Sequence, residues 1–143
     1  MNDPVYKCCQ RLFKNDSPNN LDRSNDLRNR IRSAARKRFS LGYPPRKTND
    51  TSIGDAVNWE WMVHCCKRDN KDLVIVSRDG DYGVGYGDEV FLNDWLRQEF
   101  KERVSRKKNA ILTDKLTVAF KHLNVAITKS ESEEEEYLVS SLP

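Results

Sequence analysis

The stretch VIVSRDGDYG, residues 74–83, leads from an apolar run into two closely spaced carboxylates. LVIVS, residues 73–77, is short, rich in β-branched residues and bounded by turn residues, which is typical of a strand buried on both faces. Asp79 and Asp81 follow at the strand end, where open parallel sheets bind their ligands. Like charges this close repel each other unless a cation neutralises them. The stretch therefore indicates a Mg²⁺ or Mn²⁺ site, although Asp-Gly-Asp is also good turn chemistry.

Asp55 is a third acid that the fold would bring to the same edge. It lies near the start of a predicted helix that precedes the strand, in GDAVNWEWMV, residues 54–63. Such a helix runs antiparallel to the following strand, so its first turn meets the strand's carboxyl end. Ser52 and Asp55 have the spacing of a capping box. The alternative for Asp55 is an acid that merely favours the helix dipole.

The other segments alternate helical and strand patterns. The periodicity predicts helices over 4–14, 21–41, 52–67, 92–104 and 115–124, and strands over 73–77, 109–114 and 125–127. The glycine-rich stretch DGDYGVGYGD, residues 79–88, is interpreted as a flexible loop. This order predicts an α/β fold, a three-layer sandwich with a short parallel sheet flanked by helices.

Charge divides the chain into a basic and an acidic part. The net charge is +3, but residues 23–47 hold nine Lys or Arg and one acid, and residues 131–136 hold five glutamates. The basic part, predicted as a helix over 21–41, suits a phosphate backbone, and the alternative is a solvated helix face. We predict one domain over residues 1–128 and an acidic, disordered tail over 129–143.

Composition excludes several other classes. No run approaches the roughly 18 apolar residues of a membrane span, and the first residues lack an apolar signal region, so we expect a cytoplasmic protein without membrane contact. The adjacent pairs Cys8-Cys9 and Cys65-Cys66 lack C-x-x-C spacing and are interpreted as reduced thiols. A Cys/His metal site that uses His64 is the alternative.

The two acidic motifs together resemble a PIN domain. Asp55 at a helix start, and then Asp79, Asp81 and Tyr82 after a strand, match the signature Ser/Thr-x-Asp-x-Asp-aromatic of that family. The loop RFSLGYPPRKTND, residues 38–50, and the helix FLNDWLRQEFKERV, residues 91–104, are similar to parts of the larger bacterial PIN-like proteins. The resemblance extends over about residues 36–124.

One part of the family pattern is missing. PIN domains open with a strand that ends in an Asp, and this chain has no such apolar run before Asp3. Asp22 or Asp26 would stand in for a further family acid from an early helix. The chain is therefore interpreted as lacking the first strand, as a truncated piece, as a degraded copy, or as a chain whose site another subunit completes.

The resemblance implies a Mg²⁺- or Mn²⁺-dependent nuclease, with RNA as the favoured substrate. Asp55, Asp79 and Asp81 would be the catalytic metal ligands, and Ser77 would support them. Trp59, Tyr82 and Tyr86 would stack on unpaired bases if they were not packing residues. Glu60 and Glu99 are interpreted as surface acids. The residues expected to hold nucleic acid are Arg46, Lys47, Arg78, Arg36 and Arg38.

The main rival is an inactive PIN-like module that binds nucleic acid or a protein. A toxin with an antitoxin partner is one role that the resemblance implies. The sequence leaves the oligomeric state open. A phosphatase-like domain is disfavoured because the strand lacks a D-x-D-x-T/V nucleophile pattern.

Overall fold

The computed structural model describes residues 3–12, 17–46, 51–87 and 89–141. Within these ranges the chain forms six helices and four short strands. Their bounds are α1 Pro4–Leu12, α2 Arg28–Ser40, α3 Gly54–Asp69, β1 Leu73–Val76, β2 Gly83–Tyr86, β3 Glu89–Leu92, α4 Asp94–Arg103, β4 Ala110–Thr113, α5 Leu116–His122 and α6 Lys129–Ser140.

The strands form two pairs. β1 and β4 are parallel, and their register runs from Leu73 opposite Ala110 to Val76 opposite Thr113. β2 and β3 form an antiparallel hairpin, and β3 lies beside β4. The connection from β1 to β4 contains a helix, as a parallel pair requires. The predicted α/β fold with a short parallel sheet is confirmed.

The core lies between the parallel pair and helices α3 and α4. Ile75 and Leu112 face each other across the pair, and both belong to a cluster with the fully buried Trp59, Leu96 and Phe100. α5 also contacts both strands but contributes no residue to this cluster. It therefore covers the other face, which gives the predicted three layers.

The strand β1 is less buried than its sequence indicates. Ile75 is buried, but Val76 remains 43 % exposed. Among the described strands, β1 has a neighbour on one side only, which explains this exposure. Leu73 and Val74 are half-buried, so the prediction of a strand buried on both faces is wrong, and Ile75 is the one buried residue of β1.

The glycine-rich stretch is a hairpin rather than a flexible loop. Val84 and Tyr86 alternate with Gly83, Gly85 and Gly87, which hides the strand pattern in the sequence, and both side chains are exposed. Gly83 is required by packing: a Cβ there would lie 2.0 Å from the carbonyl oxygen of Phe91 and 2.6 Å from Leu112. The glycine therefore lets β2 approach the sheet.

Two helix starts differ from their predictions. α2 begins at Arg28 because Asp22 and Asn25 accept hydrogen bonds from the backbone N–H of Ser24 and Leu27, both at 2.9 Å, which favours turns. α3 begins at Gly54, with Ile53 rather than Ser52 at the N-cap position, so the predicted capping box between Ser52 and Asp55 is wrong. Ser52 Oγ instead accepts a hydrogen bond from the backbone N–H of Gly54 at 3.2 Å.

The C-terminal segment is more regular than predicted. Residues 125–127 form no strand, and Asn124 has a left-handed backbone, φ 58°, that ends α5. Residues 129–140, expected to be disordered, form α6. A capping box between Thr128 and Glu131 starts this helix. That residues 1–128 are a single domain stays a prediction.

None of the helices in the described ranges is long and apolar enough to cross a membrane.

Candidate active site

A groove at the carboxyl end of β1 brings two of the predicted acids together. Asp55 and Asp79 both line it, and its volume is about 440 Å³. Asn58 and Trp61 from α3 and Ser77 from the loop after β1 form further parts of its wall. This volume lies within the range of ligand-binding pockets.

The helix–strand unit explains why these acids meet. A connection of only three residues, 70–72, separates α3 from β1, so the helix folds back along the strand. Asp55, in the first turn of α3, is half-buried, and Asp79 is exposed. The Oγ of Ser77 accepts a hydrogen bond from the backbone N–H of Asp79 at 3.1 Å. Ser77 thus holds the turn that carries this carboxylate.

Asp81 is half-buried and lies outside the groove wall, whereas the adjacent Tyr82 lines the groove and is buried. Burial, and then the charges of Asp55, Asp81 and Asp79, raise the pKa of Tyr82 to about 12, against the effect of a hydrogen bond with Asn58. All three predicted acids therefore raise the pKa of the Tyr82 hydroxyl, although only Asp55 and Asp79 line the groove.

The acids fit a hydrated divalent ion better than a closed protein cage. Over the ranges that the structure covers, no group of three or more His, Cys, Asp or Glu side chains is arranged to hold a metal ion. Mg²⁺ commonly binds through one or two carboxylates and keeps several waters. Asp55 and Asp79 offer such a donor set, and Asp81 lies close enough to affect the same tyrosine.

The cationic residues expected around this site divide into three cases. Arg36, Arg46 and Arg78 are exposed. The guanidinium of Arg46 lies over the ring of Phe39, 4.9 Å from its centroid. Lys47 lies outside the described residues. Arg38 is the exception, because its side chain is buried.

Arg38 belongs to a buried ion cluster that joins α2, α3 and α4. Its Nε donates to Glu60 at 2.9 Å, and another guanidinium nitrogen donates to Glu99. Arg103 donates to both glutamates, at 2.7 Å to Glu60 and 2.6 Å to Glu99. The prediction that Arg38 binds nucleic acid is wrong, because its charge is neutralised inside the protein. Glu60 is also no surface acid, with 4 % of its area exposed, and the Glu99 side chain is 17 % exposed.

The cluster keeps Glu60 ionised despite its burial. Burial alone would raise the pKa of Glu60, but the hydrogen bonds and charges of Arg103 and Arg38 outweigh it, so the pKa lies below its ordinary value. Two guanidinium groups and two carboxylates thus balance each other. The cluster positions the basic helix α2 against α3, and Glu60 is buried in it.

Asn58 and Trp61 also line the acidic groove, and neither was predicted from the sequence as a site residue. Asn58 is one helical turn after Asp55 and Trp61 one turn after Asn58, a spacing that places them near one face of α3. Trp59 and Tyr82, by contrast, are buried packing residues. Tyr86 is 82 % exposed on the hairpin.

A family model described as PIN domain matches residues 3–82, more than half of the chain. The match includes α1, α2, α3, β1 and all three predicted acids. It begins at residue 3, whereas the resemblance seen in the motifs begins at about residue 36. No curated protein and no solved structure matches the chain. Members of the matched family are nuclease-like modules that generally use divalent metals. With its parallel sheet, its paired acids and this match, the chain belongs to the PIN domain family.

Proposed function

We propose that this chain is a divalent-metal-dependent nuclease that hydrolyses phosphodiester bonds of single-stranded RNA. The observation that carries the proposal is the groove that Asp55 and Asp79 share at the carboxyl end of β1. It lies where ligands bind in open α/β sheets. PIN domains commonly bind nucleic acid, which agrees with the basic composition of α2.

The acidic groove would hold Mg²⁺ or Mn²⁺ through Asp55 and Asp79, with Asp81 as a supporting ligand. When bound, the ion would lower the pKa of a water molecule and offset the charge of the phosphodiester transition state. Ser77 keeps the Asp79 turn in place through its hydrogen bond to the backbone. Arg78, adjacent in sequence to Asp79 and exposed, would hold a flanking phosphate.

Single-stranded RNA is favoured because unpaired bases can stack on aromatic side chains. Trp61 lines the groove between the acids and helix α2, and its ring is partly exposed. A toxin role with a protein antitoxin, and a cytoplasmic location, belong to the same proposal.

A second candidate function is an inactive PIN-like module that binds nucleic acid or a protein. The observation that favours it is the lack, within the described residues, of a group of three potential ligands arranged for a metal ion. Such a module would keep the basic groups while metal binding and hydrolysis are lost.

The two functions are separated by titrating Mn²⁺ into the protein in a calorimeter and incubating the same samples with labelled single-stranded RNA. Asp79→Asn is the test variant. Glu134→Gln is the matched control, since it also turns an acid into its amide, and Glu134 is exposed on α6 and does not line the acidic groove.

The nuclease proposal expects Mn²⁺ binding and RNA cleavage in the wild type and the control, and a loss of both in Asp79→Asn. RNA binding without Mn²⁺ binding or cleavage in the wild type would establish the inactive module instead. Cleavage that survives Asp79→Asn unchanged would place the active site elsewhere and refute the assignment.

A further inference from the structure

A second groove adjoins the acidic one and is basic. Its volume is about 320 Å³, and its wall includes Arg28 and Arg32 from α2 and Leu21 from the preceding turn. Asn58 and Trp61 line both grooves. The two grooves therefore meet along one stretch of α3, with acids on one side and arginines on the other.

Among the residues that the structure describes, no acid pairs with the two arginines. Arg28 and Arg32 are one helical turn apart on α2, so both can face the same groove. Within the described residues neither side chain forms an ion pair or a hydrogen bond, in contrast to Arg38 on the same helix. Both are half-buried, which reduces the solvent screening of their charge.

The shared wall is held in place by several contacts. The indole N–H of Trp61 donates to the carbonyl oxygen of Asn19 at 2.6 Å, and its ring stacks on His64 with centroids 5.2 Å apart. Arg68 donates to the side chain of Asn19 at 2.7 Å and to the carbonyl of Pro18 at 3.1 Å. These hydrogen bonds hold the segment before α2 against α3, so the groove is already formed before any ligand binds.

We propose that the groove of Arg28 and Arg32 binds the phosphate backbone of the strand whose scissile phosphate lies at Asp55 and Asp79. The inference rests on the proposed function, since it assigns the path of the same substrate. Guanidinium groups bind phosphate oxygens in a bidentate geometry. A polyanion is repelled by the two aspartates, and the adjacent arginines offset that repulsion. Trp61, between the two grooves, supplies a stacking surface for the intervening base.

The test measures binding of a labelled single-stranded RNA oligonucleotide, without metal, over a series of salt concentrations. The test variant is the double substitution Arg28→Gln, Arg32→Gln. The matched control is Arg30→Gln, Lys37→Gln, which removes the same charge from exposed positions of the same helix. Circular dichroism checks that both variants fold.

Each phosphate contact on a single strand contributes about 0.7 to the slope of log affinity against log salt concentration. We expect the slope to fall by about 1.4 in the test variant and to stay near the wild-type value in the control. A third variant, Arg28→Lys, Arg32→Lys, keeps the charge and should restore most of the slope.

Equal losses in the test variant and the control would overturn the inference, because only net charge would then matter. Absence of RNA binding in the wild type would overturn it as well. Since the assay needs no hydrolysis, an Arg28- and Arg32-dependent slope in a protein that cleaves nothing would refute the nuclease proposal and leave this binding site. Cleavage of RNA by the wild type, together with an unchanged salt slope in the Arg28→Gln, Arg32→Gln variant, would refute this inference and leave the nuclease proposal intact.

Discussion

Replacing Glu60 with Gln should destabilise the fold more than any surface substitution of the same type. Glu60 Oε1 accepts from Arg38 at 2.9 Å, and Oε2 accepts from Arg103 at 2.7 Å. Glutamine removes the negative charge, and its amide N–H₂ group would face a guanidinium that also donates. Arg38 and Arg103 would then share one carboxylate, that of Glu99, which leaves a buried positive charge uncompensated.

The size of the loss follows from burial. Removing one partner of a buried ion pair costs about 3–5 kcal/mol. The Arg103 side chain is 36 % exposed, so water screens part of its charge, and the lower end applies. A loss of about 3 kcal/mol lowers the Tm of a chain of this length by about 10 °C.

Thermal unfolding followed by circular dichroism measures this loss. Glu102→Gln is the control, because Glu102 is exposed on α4 and accepts a hydrogen bond only from Gln98 among the described residues, at 3.0 Å. Its free energy of unfolding should change by less than about 0.5 kcal/mol. A Tm of Glu60→Gln within 2 °C or so of the control would refute the claim that the cluster stabilises the fold.

The difference in stability between the wild type and Glu60→Gln also has a predictable pH dependence. The pKa of Glu60 is lowered in the folded protein from its ordinary value of 4.5. A lowered pKa stabilises the fold above the unfolded value, and this contribution is lost as the pH falls through the folded value. The difference in stability between wild type and Glu60→Gln should therefore be constant above about pH 5 and shrink below it.

Two further substitutions test the hairpin and the C-terminal helix. Gly83→Ala should cost about 2–3 kcal/mol in urea unfolding, because its Cβ meets the Phe91 carbonyl, whereas Gly80→Ala, with nothing within 4 Å, should be nearly neutral; equal midpoints would contradict this. The Glu135 carboxylate accepts from the N–H of Thr117 at 2.9 Å and from its hydroxyl. Glu135→Ala should therefore speed amide hydrogen exchange along α6 relative to Glu134→Ala, and identical exchange would count against this docking contact.

Local patterns in the sequence were sufficient for the elements that form the acidic groove. The β-branched run before Ser77 predicted β1, and the helical period around Asp55 predicted α3. The short connection between them then brought Asp55 and Asp79 to one edge, as expected from chain direction alone. The position of Asp81 could not be predicted in this way. It lies two residues after Asp79 in the same turn, and in a turn such a shift changes the side of the loop on which a side chain lies.

The buried ion cluster could not be predicted from local patterns. Arg38 looked like one more cation of a basic helix, yet its partners Glu60 and Glu99 lie 22 and 61 residues further along the chain. Only the packing of three helices brings them together. The same holds for α6, where the glutamate run indicated disorder but a capping box and the contact of Glu135 with α5 hold a helix.

The ion cluster also limits how this chain can vary among its relatives. Loss of any one of Arg38, Glu60, Glu99 or Arg103 leaves a charge without its partner inside the protein. Replacement of all four by apolar residues, by contrast, is often neutral or stabilising. Substitution of these residues one at a time, from the charged to the apolar arrangement, therefore passes through less stable proteins. We therefore expect relatives to hold either the complete set of four charges or a wholly apolar patch, so that these positions change together over time.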